Sequence, residues 1–476
     1  MRRPYHDAEK IVMSEDFDLI VIGSGPGGYV AGIKAGQLGM KVAVVEKDPK
    51  LGGTCLHRGC IPTKALLHTA ELLDAAKKAD TFGVMLSGAA LDMGKAQQNK
   101  QKVVDKNAKG IEFLFKKNKV TALAGRGRVT GANEVTVEGG PGAGTYRAKN
   151  IMVATGSVPR DMPMAPADGV KVINSDHILE LQRVPASLAV LGAGAVGTEF
   201  ASMFNSFGSK VTLIEMMPRI LPIEDEEVSS ELERALRKRG ITVMAGTKLT
   251  EVQKTDAGVT LTLDKDGKVS TIEAEVLLVA VGRAPVTYGL GLEALGVEVE
   301  RGYVKVNGLM QTAVPNIYAI GDVVNTPWLA HVASAEGILA VEHMAGLKVE
   351  PINYDLVPSC TYCDPEVGSV GLSEAKAKAR GHQVAVGKFP FSALAKAAIV
   401  GKSEGFVKIV RDTRYDEVLG VHIIGPHATD LIAEACVALR LESTTEEIFR
   451  TMHAHPTLAE AVAEAAHAAV GHAIHI

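Results

Sequence analysis

Two cysteines, Cys55 and Cys60, stand four residues apart in the stretch 52–64, GGTCLHRGCIPTK. Thiols this close can bridge, and a disulfide beside a bound ring system can exchange electrons with it. Thiolates are favoured near helix N-termini and cations, and Arg58 and Lys64 supply nearby charge. The competing readings are two buried reduced thiols or half of a metal site. A metal would need two further ligands at ordered spacing, and His57 and His68 make no zinc pattern, so no metal is expected. Cys360 and Cys363 form C-x-x-C, but prolines and strand-like residues flank them, and they read as structural thiols. Cys436, in LIAEACVAL, reads as a core residue on an apolar helix face. A second reactive group is written near the C-terminus as MHAHPTLAEA, with His453, His455 and Glu460. Glu460 follows His455 by five residues, close enough for a turn to bring carboxylate to imidazole and orient the ring. Spacing alone does not choose between His453 and His455. Pro456 suits the first turn of a following helix.

The elements that must position these groups show an internal repeat. Residues 17–28, FDLIVIGSGPGG, and 186–197, ASLAVLGAGAVG, are each an apolar run breaking into G-x-G-x-x-G. One offset of 169 residues relates Gly23 to Gly192, Gly25 to Gly194, Gly28 to Gly197, Gly39 to Gly208, Lys41 to Lys210 and Glu46 to Glu215. A whole strand–turn–helix–strand unit therefore recurs. The run is a buried parallel strand. The first glycine makes the tight turn, the second lets backbone approach a pyrophosphate, and the third lets helix pack on strand. The phosphates then face a helix N-terminus, where free N–H groups and the macrodipole favour anions. An acidic residue ends the next strand, Glu46 after KVAVV and Glu215 after KVTLI. It accepts from ribose hydroxyls and repels a 2′-phosphate.

Between the two units, 62–118 reads as helices and 120–150 as strands. The segment 226–239 reads as an amphipathic helix, 241–281 as strands with an Asp266-Gly267 turn, and 312–323 as a strand ending in Gly-Asp. From about 352 come strand-like pieces (367–372, 406–410, 418–424) and then helices. The expected fold is α/β: two Rossmann-like nucleotide-binding domains plus a C-terminal α+β domain. The chain has 476 residues, 22% of them charged, with a net charge of −4 and one tryptophan. That composition excludes a disordered chain and gives no general basis for binding nucleic acid or an anionic membrane. No uncharged apolar run approaches the about 20 residues of a membrane span. Residues 1–12 lack the apolar run of a secretory signal and read as a loose extension, and a reducing cytoplasm is the default for five cysteines so spaced.

Two nucleotide folds, an interposed G-G-T-C-x4-C-I-P-T-K, the TAVPNIYAIGDV strand and HAHPTLAEA together resemble the pyridine nucleotide–disulfide oxidoreductase family over about residues 16–470. The resemblance implies an N-terminal extension at 1–13, an FAD-binding domain at 14–156, an NAD-binding domain at 157–282, a central domain at 283–352 and a dimerisation domain at 353–476. It implies an FAD site with Gly23, Gly25 and Gly28 at the pyrophosphate and Glu46 at the ribose. Gly53, Thr54, Gly127, Thr155 and Gly156 join that site, with Asp322 towards the ribityl and phosphate region and Leu329, Ala330 and His331 along the isoalloxazine. Lys64 would lie beside the flavin, paired with Glu199. For NAD it implies Gly192, Gly194, Val196, Gly197, Glu215 and Gly282. Arg219 is too far along to count towards NADP. Cys55 and Cys60 would be the redox disulfide, and His455, oriented by Glu460, the base.

Within the family, the resemblance is to the branch that oxidises protein-bound dihydrolipoamide with NAD⁺. It implies a homodimer in which the histidine comes from the second subunit. The implied partners are a lipoylated acyltransferase or the H-protein of a glycine cleavage system. Glutathione- and mercuric-type reductases are the alternative within the class. Ile61-Pro62-Thr63-Lys64 and Glu215 argue against the first, and the lack of terminal vicinal cysteines against the second. Two departures stand out: His57-Arg58 between the cysteines, and Cys360/Cys363 where many relatives have other residues.

Overall fold

The structure is a computed structural model and describes residues 16–476. The expected N-terminal extension lies outside the described residues. The chain divides into two compact units. The first takes the chain up to Ile61, then Lys102–Val158 and Arg283–Ile352; the second takes Pro62–Gln101, Pro159–Gly282 and Asn353–Ile476.

The first unit is built on a seven-stranded sheet. Its parallel strands run in the order Thr121–Ala124, Val42–Glu46, Asp16–Ile22 and Gly144–Val153, and Ile317–Ala319 also pairs parallel with the last of these. Glu134–Glu138 and Arg126–Gly131 extend it antiparallel. Leu19, Ile20 and Val21 are fully buried, as expected of a strand with apolar cover on both faces. Asp16–Ile22 is central, flanked by Val42–Glu46 and Gly144–Val153, so its carboxyl end is the switch point where doubly wound sheets bind ligands. The helices Pro26–Gln37 and Ala330–Met344 pack glycine on glycine. A Cβ at Gly337 would lie 2.8 Å from the Gly27 carbonyl oxygen, so no larger residue fits this crossing.

The second unit holds a parallel five-stranded sheet in the order Thr242–Met244, Lys210–Ile214, Ser187–Leu191, Val276–Val279 and Val172–Ile173. A three-stranded antiparallel sheet spans Lys248–Ala274, with Asp266 and Gly267 both at positive φ in its expected tight turn. The C-terminal part is an antiparallel sheet ordered Ser359–Thr361, Glu366–Gly371, Val418–Gly425, Phe406–Asp412 and Val384–Pro390. The helices Ala428–Arg440 and Glu460–Ala469 cover it around a core that includes Phe389, Val407, Ile423, Ile432 and Val462.

Three local expectations need correction. The strand expected over 312–323 is only Ile317–Ala319; the Val314-to-Ile317 backbone bond closes a turn ahead of it. Pro456 is not in a first helical turn, because the helix begins at Glu460 and the preceding turn is closed by Thr457 Oγ1 on the Ala454 carbonyl, 2.7 Å. Cys436 is half-buried against the core rather than within it.

Candidate functional site

At the switch point of the first unit, Gly23 has φ +106°, and a Cβ there would lie 2.3 Å from the Ala154 carbonyl. A Cβ at Gly28 would lie 1.9 Å from the Gly23 carbonyl, so the third glycine is what lets the helix Pro26–Gln37 start against the strand. Gly25 is the N-cap of that helix, with no side-chain cap, and a Cβ on it would meet nothing within 4 Å. Uncapped N–H groups therefore face open space, which is what a pyrophosphate requires. Glu46 is buried and wired to the turn. Its Oε2 accepts from Ser24 N at 3.0 Å and Ser24 Oγ at 2.5 Å, and its Oε1 accepts from Asp48 N at 2.8 Å. Gly127 packs on the strand ends, its missing Cβ 2.9 Å from Ile22 Cγ2.

The second unit repeats this wiring at the same 169-residue offset. Gly192 has φ +99°, with a Cβ 2.5 Å from the Ala280 carbonyl, and a Cβ at Gly197 would lie 1.9 Å from the Gly192 carbonyl. Gly194 is the uncapped N-cap of Ala195–Phe207 and faces open space. Glu215 accepts from Ala193 N at 2.7 Å and from Met217 N at 2.8 Å, the counterparts of Ser24 and Asp48. Val196 is exposed on this helix, and Gly282, φ +104°, accepts from Arg160 N at 3.0 Å. The donor sets and the glycine cradles fit two dinucleotides. Arg219, discounted on spacing, is occupied elsewhere: it pairs with Glu226 at 2.7 Å and donates to the Pro222 carbonyl.

The dithiol segment is anchored on the first turn. Gly52 N donates to Ser24 Oγ at 3.0 Å, and a Cβ at Gly53 would lie 2.6 Å from Gly25 Cα. Thr54 and Cys55 lie on the short helix Gly53–Arg58, and Cys60 opens the eighteen-residue helix Cys60–Lys77. Gly59 folds the chain back between them; a Cβ on it would lie 3.3 Å from Cys55 Cα. Cys60 thus has the helix N-terminus that favours a thiolate. Burial raises the Tyr29 hydroxyl, and negative charge on the neighbouring Cys55 sulfur raises it further, so that side of the segment carries a neutral phenol. Arg58 is paired with Asp48, so the charge expected from it is that of an ion pair. His57 Nε2 meets the Leu51 carbonyl at 2.8 Å.

Also in the first unit, Asp322 lies in the turn Gly321–Val323, and Gly321 has φ +69°. Burial drives the Asp322 carboxyl above its ordinary range, against the Ser157 hydroxyl at 2.5 Å and the Arg283 charge. Thr155 Oγ1 donates to the Val286 carbonyl at 2.6 Å, and Gly156, φ +70°, accepts from Val286 N at 2.9 Å. Leu329 is the uncapped N-cap of Ala330–Met344, which carries Ala330 and His331 in its first turn.

In the second unit, Lys64 Nζ donates to both oxygens of Glu199, at 2.9 and 2.7 Å. The Glu199 side chain is only 5% exposed and the Lys64 side chain 33%. The charge expected to act from Lys64 is therefore that of an ion pair. His453 and His455, equivalent by spacing, are separated by their partners. Both ring nitrogens of His453 meet oxygens, Thr451 O at 2.8 Å and Glu434 Oε1 at 2.7 Å, and its side chain is 8% exposed. His455 Nδ1 meets Glu460 Oε1 at 2.8 Å, its side chain is 73% exposed, and its Nε2 has no hydrogen bond among the described residues. A carboxylate only accepts, so Nδ1 carries the proton and Nε2 is free to take one. Partial burial works to raise the Glu460 carboxyl. It is outweighed by the Thr457 N–H at 2.8 Å and the His455 ring, which hold it below the usual carboxylate range.

Cys360 and Cys363 lack thiolate character. Burial pushes the Cys360 thiol up to about 12 and drives the fully enclosed Cys363 higher still, and Cys363 Sγ donates to the Pro365 carbonyl at 3.1 Å.

Residues 17–337 match the pyridine nucleotide-disulphide oxidoreductase family, and residues 357–466 match that family's dimerisation domain. The chain belongs to this family. Among the oxidoreductases it is similar to, the dihydrolipoyl dehydrogenase of Bacillus subtilis strain 168 is 49% identical, over 97% of this chain and 100% of that protein. The dihydrolipoyl dehydrogenase of Chlorobaculum tepidum is 47% identical over 95% of this chain and 97% of that one. The crystal structure of LpdA from Mycobacterium tuberculosis superposes with a TM-score of 0.87 at 28% identity, covering 94% of this chain and 98% of that chain. Among the described residues no helix is long and apolar enough to cross a membrane, and no group of three or more His, Cys, Asp or Glu side chains is placed to hold a metal ion.

Sequence reasoning did not find the tyrosine that completes the Lys64–Glu199 pair. Tyr362 N donates to Glu199 Oε1 at 3.0 Å, and Lys64 Nζ sits over the Tyr362 ring at 4.5 Å from its centroid. The only available signal was its place inside a C-x-x-C that turned out to be scaffold.

Proposed function

We propose that the protein is a dihydrolipoyl dehydrogenase, oxidising protein-bound dihydrolipoamide to lipoamide with reduction of NAD⁺ to NADH. The observation that carries this is the seating of the Cys55–Cys60 segment on the first phosphate-binding turn, Gly53 against Gly25, which brings a dithiol pair to a nucleotide site. The relatives' names supply the substrate.

Bound FAD would supply the two-electron link between the enzyme dithiol and NAD⁺. Gly23, Gly25, Gly28 and Glu46 would hold its pyrophosphate and adenosine ribose, with Gly53, Thr54, Gly127, Thr155, Gly156, Asp322, Leu329, Ala330 and His331 around it. Gly192, Gly194, Val196, Gly197, Glu215 and Gly282 hold the nicotinamide nucleotide. With Arg219 committed to Glu226, a carboxylate meets the ribose, and NAD⁺ is preferred over NADP⁺.

The sulfur chemistry is thiol–disulfide exchange. His455 Nε2 takes the proton of one substrate thiol, and the resulting thiolate attacks Cys55 Sγ of the oxidised enzyme. The Cys55–Cys60 bond breaks as the mixed disulfide forms, and Cys60 leaves as a thiolate at its helix N-terminus. The second substrate thiol displaces Cys55, closing the lipoamide disulfide, and its proton passes to the Cys55 sulfur that leaves, so that Cys55 ends as a thiol, Cys60 as a thiolate and His455 protonated. Glu460 holds the ring in the tautomer that leaves Nε2 open, and balances the charge that the ring gains. In the family's arrangement the base comes from the other subunit of a homodimer, so each chain's histidine serves the other chain's cysteines. The family pattern gives Lys64 and Glu199 the position beside the flavin. The physiological substrate is the dihydrolipoyl group of an acyltransferase of a 2-oxoacid dehydrogenase complex, or of a glycine-cleavage H-protein, in the cytoplasm.

The test is dihydrolipoamide oxidation with NAD⁺ and NADP⁺ side by side, with NADH- and NADPH-driven reduction of oxidised glutathione measured separately. Turnover with dihydrolipoamide and NAD⁺ is expected. A preference for glutathione, or no turnover by protein carrying its flavin, refutes the reading.

A further inference from the structure

A charged amine over an aromatic face is held as well as attracted, since the ring's negative face points one way. Lys64 lies in such a grip. Its amine bonds both Glu199 oxygens, and its remaining side meets the Tyr362 ring at 4.5 Å. The same residue's backbone N–H donates to Glu199 Oε1, so residue 362 touches both members of the pair. Burial pushes the Tyr362 hydroxyl up to about 12, which leaves the ring a neutral phenol at working pH.

The ring is fixed from both sides along the chain. Before it, Ser359–Thr361 pairs with Glu366–Gly371. After it, Cys363 is buried in the core and Asp364 N donates to Ser202 Oγ at 3.1 Å, one turn beyond Glu199 on Ala195–Phe207. Arg239 closes the arrangement, donating to Ser202 Oγ and to the Asp364 carbonyl, each at 2.7 Å. The segment is thus zipped onto the helix that carries Glu199. The half-buried Cys360 and the buried Cys363 are its footing, and of the two residues between them Tyr362 is the one delivered to Lys64.

We infer that Tyr362 is a positioning residue for the reaction, fixing the Lys64 ammonium against Glu199 through its ring face. This rests on the functional reading above for what Lys64 does, but the contact is measurable without it. The holoenzyme and its Tyr362→Phe and Tyr362→Leu variants are treated with trace acetic anhydride across pH, and acetylation at Lys64 is followed by mass spectrometry against the other lysines. Loss of the ring in Tyr362→Leu is expected to raise the Lys64 rate about fivefold, which is about 1 kcal/mol at 1.4 kcal/mol per tenfold. Tyr362→Phe keeps the face, and its rate stays close to that of the parent. A leucine variant that labels like the parent, or a phenylalanine variant that labels like leucine, overturns the inference. If Tyr362→Leu fails to fold, the isosteric series phenylalanine, trifluorophenylalanine and pentafluorophenylalanine replaces it. Labelling that climbs with fluorination supports the contact, and a flat series overturns it. The same samples are assayed with dihydrolipoamide and NAD⁺. Slower turnover alongside faster labelling supports the positioning role, and unaltered turnover overturns it. Ring-dependent labelling in a parent enzyme with no such turnover would refute the functional reading and leave the contact standing.

Discussion

Replacing Glu460 by glutamine removes one charge from the pair that defines the base and changes almost no volume. The His455 side chain is 73% exposed, so the solvent-screened limit applies to a contact of 2.8 Å. Two unit charges at that separation interact by about 1.5 kcal/mol in a water-like dielectric. That stabilisation grows only as the ring gains its proton, so its loss slows proton transfer about tenfold. A second cost comes from geometry. Glu460 accepts from His455 with one oxygen and from Thr457 N with the other. A glutamine has one acceptor oxygen, so one of the two N–H groups loses its partner, at about 1 kcal/mol. Together these predict that kcat for dihydrolipoamide oxidation falls by between about tenfold and about seventyfold. The control is NADH oxidation by ferricyanide, which needs no thiol base and is expected to change by less than about twofold. A fall in kcat of under about threefold would refute the assignment of Glu460. A parallel fall in both reactions would show a general defect instead of a lost partner for the base.

Two further outcomes follow from groups outside that pair. With its thiol at about 12, Cys360 is thiolate in only about one molecule in ten thousand at pH 8, so iodoacetamide should leave Cys360 and Cys363 intact while labelling Cys55 and Cys60 of the reduced enzyme, as peptide mapping would read. Burial disfavours ionisation of Asp168 but is outweighed by Lys254 at 2.6 Å and by three backbone N–H groups, those of Val170, Lys171 and Val172, so its carboxyl is strongly depressed in the folded chain. A depressed carboxyl contributes stability above its unfolded pKa and loses it as pH falls towards the folded one. Asp168→Asn should therefore cost about 2 kcal/mol by denaturant titration at pH 7, with the gap from the parent narrowing as pH drops below about 4; a gap independent of pH would refute the sign.

Much of the architecture is legible in the chain because it is written in short-range patterns. The apolar run, the three glycines and the carboxylate eighteen residues on are fixed by the geometry of one strand, one turn and one helix. Their recurrence at a single offset carries over to the hydrogen bonds, where Ser24 and Asp48 on Glu46 become Ala193 and Met217 on Glu215. The five-residue step from His455 to Glu460 is legible for the same reason, as one turn closes it.

What the sequence could not decide are contacts between residues far apart in the chain. By spacing alone His453 and His455 are alike, until Glu434, on the helix Ala428–Arg440, occupies the first and leaves the second open. Arg58 reads as a nearby charge until Asp48 pairs with it, and the Lys64–Glu199 pair, 135 residues apart, is marked by no spacing and comes only with the family resemblance. The C-x-x-C spacing of Cys360 and Cys363 does not by itself say whether they react; burial, aided by neighbouring negative charge, raises both thiols in the fold. Tyr362 carries no signal until the strand before it and the helix beside it bring its ring to an amine. Spacing along a chain specifies what a segment can do. Which side chain is left with an open nitrogen, a screened charge or a protonated thiol depends on what packs against it, and only the folded chain sets that.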